Sequence, residues 1–148
     1  MVGDFMVYSF FGHRDVNASL QCDLYNYLEK LAKYDDHYFL VGNEGAFDHY
    51  VQSTLKKLKK SYPNIKYSIV LAYLPKPDDI QIENSLYPEG LENIPLRFAI
   101  VNRNKWMIDH SDAVIYFQER TWGGVASAIE YAIKKEKFLI HLNNISNL

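Results

Sequence analysis

Four short segments of this chain hold residues able to grip an anion or polarise a bond. Gly12-His13-Arg14 sets an imidazole and a guanidinium directly behind a glycine, a pair suited to a phosphate. The same residues also read as a strand stop followed by two solvated polar groups. Gly42-Asn43-Glu44-Gly45 brackets a turn in which glycine lets backbone approach a ligand. Asp48, just beyond, either bonds a ribose hydroxyl or favours a helix start electrostatically. Arg103 falls at helical spacing with Leu96, Ile100 and Met107, so an arginine lies on an apolar stripe and needs a ligand phosphate, a protein carboxylate or open water. Gly123-Gly124 precedes Ser127 and Glu130, which share one helix face: either the glycines hold a phosphate and Glu130 faces its sugar, or the segment is a tight turn with an exposed glutamate.

The elements around these segments alternate. Phe5 to Phe11 is an apolar run of the length of a strand buried on both faces, stopped by Gly12. After Asp15 and Asn17, both able to cap a helix, Leu20, Leu24, Tyr27, Leu28 and Leu31 trace one helical face ending near Lys33. His37 to Val41 reads as a second strand, and Phe47 to Tyr62 as a helix closed by Pro63, its LKKLKK run being the solvated face. Lys66 to Leu74 gives a third strand. Pro75 to Pro95 is polar, patternless and holds four of the five prolines, which suggests a functional loop that covers the site. Leu96 to Ser111 is helical, Ala113 to Phe117 a fourth strand, Gly124 to Lys135 a helix and Phe138 to Leu142 a fifth strand. This order predicts an α/β, Rossmann-like doubly wound fold with a mainly parallel sheet of about five strands, and ligands at the carboxyl ends of those strands.

Composition narrows the function. The 148 residues, 48% of them hydrophobic, suit one domain spanning 1–148. Sixteen basic against eighteen acidic residues give a net charge of −2, without the broad basic field of a duplex-binding surface, so the expectation is no polymeric nucleic acid as partner. No run is long enough to span a bilayer and no signal peptide is evident, so the expectation is a cytoplasmic protein without a membrane partner. Cys22, the single cysteine, sits among apolar helix positions and reads as a buried structural thiol. The five histidines show no metal-ligand spacing, neither turn matches GxGxxG, and neither metal nor cofactor is expected.

Taken in order, these segments resemble the SLOG superfamily, the Rossmann-like group that contains the Lonely-guy phosphoribohydrolases, proteins once called lysine decarboxylases, and nucleotide-sensing domains of bacterial defence systems. The likeness is to small bacterial and phage members with a GHR turn, here Phe10 to Asp15, a VGxxGAFD turn, here Val41 to Asp48, and a PxRxAIxxRNxWM segment, here Pro95 to Met107, followed by Ser111-Asp112 and Trp122-Gly123-Gly124. It adds Arg97, Asn104, Trp106 and Trp122 to the candidate ligand-binding residues. Lonely-guy enzymes use an RKxxM arginine and the glutamate of PGGxGTxxE; Arg103 and Glu130 stand at those places, while Asn104, Trp122 and Ala126 depart from the pattern. The resemblance implies a nucleotide-derived small molecule as ligand, bound by a sensor or sequestering protein, and a homodimer or higher homo-oligomer. The alternative it implies is nucleotide N-glycoside hydrolysis, with Arg103 orienting the substrate and Glu130 either stabilising the developing cation or activating water.

Overall fold

Strands form where β-branched and aromatic residues cluster, and helices where apolar residues recur every three or four positions. The structure, a computed structural model, describes residues 5–34, 36–76 and 82–143. In chain order these hold β1 (Val7–Phe11), α1 (Leu20–Tyr34), β2 (Tyr38–Val41), α2 (Gly45–Ser61), β3 (Lys66–Val70), β4 (Ser85–Leu86), α3 (Ala99–Asp109), β5 (Ala113–Tyr116), α4 (Gly124–Lys134) and β6 (Phe138–His141). The sheet runs β4-β3-β2-β1-β5-β6, and every neighbouring pair is parallel. From β1 the chain winds outward through β2, β3 and β4, then returns to the other side of β1 with β5 and β6. The order therefore reverses between β1 and β5, and the crevice at such a reversal is where doubly wound folds bind ligands.

Alternate strand residues serve opposite faces. Phe10, Phe39, Val41, Ile69 and Ile115 pack with Leu24 and Leu28 of α1 and Val51, Leu55 and Leu58 of α2. Phe11, Leu40, Val70 and Val114 pack on the other face with Met107 and Ile108 of α3 and Val125 and Ile129 of α4. Each fully buried large side chain contributes about 1.5–3 kcal/mol of transfer free energy. Within LKKLKK, Leu55 and Leu58 are buried and the four lysines exposed, as the pattern requires.

Three expectations are corrected. The stretch from Pro75 to Pro95 is not patternless: it contains β4, which extends the sheet to a sixth strand, and a 3-10 turn at Leu91–Asn93. Ile69 donates to the Asn84 carbonyl and Leu71 to that of Leu86, both at 2.8 Å, so this stretch is tied to the outer edge beside β3. The cover drawn over the site falls in part on residues 77–81, outside the described residues. Cys22 is exposed, because the buried stripe of α1 runs Leu20, Leu24, Leu28 and Ala32, and a residue two positions on from Leu20 points away from it. The helix expected from Leu96 starts as a 3-10 turn, Leu96–Phe98, and becomes α-helical at Ala99.

Candidate functional site

The carboxyl ends of β1, β2 and β5 meet the first turns of α2 and α4 and the face of α3 around a cavity of about 200 Å³. Of the residues singled out from sequence, Gly12, His13, Arg14, Gly42, Asp48, Arg103, Asn104 and Gly124 line it. Glu44, Ile100 and Arg120 join them.

The turns behind β1 and β2 are closed by packing. A side-chain carbon at Gly12 would stand 2.1 Å from the Phe47 ring, so the close approach of that ring requires glycine here. At Gly42 the same carbon would meet Asp48 Oδ2 at 2.6 Å and Arg103 Nη1 at 2.7 Å, which places the carboxylate and the guanidinium on either side of a bare backbone. Gly45 has φ +87 and lies against the Arg14 backbone, whose carbonyl accepts from Ala46 N–H at 2.9 Å.

Arg103, only 3% exposed, donates from Nη1 to the Val70 carbonyl at 3.0 Å and from Nε to Asn104 Oδ1 at 2.9 Å. The same side chain lines the cavity. Asp48, 6% exposed, accepts from Glu44 N–H at 2.8 Å. Burial pushes its carboxyl up to about 6, with the Arg103 charge and that hydrogen bond opposing the rise. Burial likewise draws the Arg103 pKa down while Asp48 resists, and a guanidinium keeps its proton throughout the working range.

His13 is 4% exposed, and its Nε2 accepts from Glu119 N–H at 2.9 Å, which fixes the neutral imidazole with its hydrogen on Nδ1. Burial and then the Arg120 charge lower its pKa, so the ring stays neutral at pH 7. It pins the end of β1 to the segment behind β5. Arg14 reaches Glu44 at 3.5 Å at the cavity mouth.

The segment behind β5 is open instead. Gly123 takes φ +98 and no side chain caps α4, so the first N–H groups of that helix are unpaired by any cap. A side-chain carbon at Gly124 would meet nothing within 4 Å. Trp122 is 68% exposed, and the Arg120 guanidinium lies over its ring at 4.7 Å. Arg120 approaches Asp15 only at 3.9 Å, and its Nε is buried without a hydrogen-bond partner.

The other candidates lie apart. Asn43 lines a second cavity of about 310 Å³, which shares Glu44 with the first. Trp106 stacks on His110 at 4.0 Å and is partly buried against the α3–α4 core. Arg97 is exposed, over the ring of Phe98 at 4.7 Å. Ser127 and Glu130 do share a face, but Val125, Ala126, Ala128, Ile129 and Ala132 take the inward side of α4 and leave both in solvent. Arg103 and Glu130 are therefore not brought together in the cavity. Arg120 escaped the sequence reading because it sits ahead of the Gly-Gly turn; its signal was a lone cation behind β5, the topological counterpart of Arg14 behind β1. Among the described residues no cluster of His, Cys, Asp and Glu could hold a metal ion, and no helix is long and apolar enough to cross a membrane.

No family model matches the sequence, and no curated protein matches it. Solved structures do. The chain is similar to DNA processing protein A (DprA) from Streptococcus pneumoniae, with a TM-score of 0.70 and 14% identity, over 95% of this chain and 53% of that one. It is also similar to the same protein from Helicobacter pylori, with a TM-score of 0.66 and 20% identity, over 95% of this chain and 69% of that one. The chain thus spans about half the length of the Streptococcus protein. The Helicobacter structure is described for its single-stranded DNA binding mode. That finding overturns the expectation of a nucleotide-derived small ligand, with hydrolysis of its glycosidic bond as alternative, and the exclusion of polymeric nucleic acid. The exclusion rested on the field needed to hold a duplex, whereas a single strand needs only local cations and a stacking surface. What the likeness shows for this chain is the fold, a Rossmann-like α/β arrangement.

Proposed function

We propose that the chain, as one SLOG-type domain, binds single-stranded DNA across the carboxyl ends of β1, β2 and β5. The observation that carries this reading is one juxtaposition: an arginine cavity beside the open start of α4, with the exposed Trp122 under Arg120 at its rim. Backbone phosphate meets Arg14, Arg120 and the free N–H groups of α4, where charge-assisted bonds and the helix dipole both favour an anion. Arg103 supplies fixed donors from below, held by Val70 and Asn104. Bases stack on Trp122, and the Arg97–Phe98 pair at the head of α3 offers a second exposed ring. The likeness to a protein described as binding single-stranded DNA supports the same reading.

The test is fluorescence anisotropy of a labelled oligo-dT dodecamer, compared with a duplex of equal length, at 50 and 200 mM salt. The single strand is expected to bind more tightly, with a log–log salt slope of about −2 for three phosphates neutralised on a single strand. Binding that is absent at 50 mM salt, or equal for the duplex, would overturn the reading.

A further inference from the structure

The second cavity holds a different chemistry from the first. It has a volume of about 310 Å³ and is walled by Leu71, Ala72, Pro75 and Ile82, with Tyr73 half exposed and, among the described residues, no cation on its lining. Asn43 and Glu44 bring polar groups to it, and Glu44 also forms a wall of the arginine cavity. A strand whose phosphate lies in one cavity thus has a largely apolar, aromatic-edged recess beside it, with one carboxylate on its wall.

The polar pair is oriented. Gln52 Nε2 donates to the Gly42 carbonyl at 2.8 Å and to Asn43 Oδ1 at 3.0 Å, which uses the amide oxygen of Asn43 and leaves both Nδ2 hydrogens to donate. Glu44 meets Arg14 only through Oε2 at 3.5 Å, so Oε1 remains an acceptor. The recess therefore presents a carboxylate acceptor next to an amide donor.

Resting on the single-strand reading, we propose that this recess is a base pocket selective for guanine, read by Glu44 and Asn43 with Tyr73 as the stacking ring. Guanine alone carries two adjacent donors, N1–H and N2–H, on its Watson–Crick edge, and a carboxylate accepts both. O6, next along that edge, accepts from the Asn43 amide. Adenine and cytosine put a ring-nitrogen acceptor beside their single amino donor, and thymine flanks N3–H with two carbonyl oxygens, so each sets a lone pair against the carboxylate. Single-stranded bases are read on this edge once unstacked onto an aromatic side chain.

The experiment uses the full chain and four dodecamers, oligo-dT carrying one central dG, deoxyinosine, dA or dC, with affinity read by anisotropy. The dG strand is expected to bind roughly tenfold more tightly than the inosine strand, which lacks only the N2 amine, and than the dA and dC strands. Glu44→Gln also alters the contact with Arg14, so its readout is the dG-to-inosine affinity ratio, expected to fall close to one. Equal affinity of the parent chain for dG and inosine strands, or a ratio that survives Glu44→Gln, overturns the base pocket and leaves single-strand binding standing. Failure to bind any of the four strands overturns both.

Discussion

Glycines line both sides of the cavity, and the two sides are built in opposite ways. Behind β1 and β2, Gly12 and Gly42 are bare because Phe47, Asp48 and Arg103 already occupy the space a side chain would need. Behind β5, Gly123 is bare because of its left-handed backbone, and Gly124 opens onto unfilled space. One side is a packed wall that holds charges in place; the other is a doorway. The same residue type in the same topological position thus reports stability in one case and access in the other.

The comparison breaks most visibly at Arg103. Arg103→Met should cost about 3–5 kcal/mol in urea unfolding at pH 8, because Asp48 is left buried and ionised without its counter-charge, and less at pH 5.5, where that carboxyl is protonated. A loss that is the same at both values would show that Asp48 is not what Arg103 holds. Gly12→Ala should cost about 3 kcal/mol by driving a methyl into the Phe47 ring, while Gly124→Ala should stay within about 0.5 kcal/mol of the parent. Similar losses for the two would erase the distinction between wall and doorway.

A titration sharpens the wall. Asp48 goes from 3.8 in the open chain to about 6 when folded, so between these values the folded state binds more protons. Stability therefore falls as pH rises from about 4 to 6 and levels off above, by about 3 kcal/mol in all. His13, lowered on folding, acts in the opposite sense as pH drops below 6.5. The difference between parent and Asp48→Asn isolates the carboxylate, and a flat difference across pH 4 to 7 would remove it from the linkage.

At the doorway the effects move from stability to binding. Trp122→Ala should leave the unfolding midpoint nearly unchanged and weaken oligo-dT by about 1–3 kcal/mol, the worth of one stacked base. Smallest of all, Ser127→Ala and Glu130→Gln should each shift stability by under about 0.5 kcal/mol and leave oligo-dT affinity alone, since both face solvent away from the cavity. A marked loss of affinity in either would extend the site over the outer face of α4.

Sequence periodicity located five strands and four helices because each buries a stripe or a run large enough to leave a pattern. β4 left none: Ser85–Leu86 is two residues long, with Asn84 before it at φ 61, inside a stretch rich in proline. Segment positions behind the strands were readable, so eight expected residues do line the cavity. Which way they point was not. Ser127 and Glu130 share a face as their spacing demands, yet only the apolar residues around them decide that this face looks outward. The buried partners of Arg103 could not be read either, since Val70 and Asp48 reach it through pairings remote in sequence. Net charge misled for a related reason: it averages over the whole surface what three arginines concentrate at one crevice.

The strand order has a kinetic consequence. Val7 N–H donates to Asp112 Oδ2 across 105 positions of sequence, and β1 completes its pairing only with β5. Phe47 and Asp48 come into place with β1, β2 and α2 within the first half of the chain, but Arg103, which completes the wall, and the doorway both arrive with the second. Closing so long a loop costs entropy before any contact repays it, which slows folding. During synthesis β1 must wait, with one edge unpaired, until β5 has emerged. β2 pairs only the opposite edge of β1, so the β5-facing edge stays open throughout that interval.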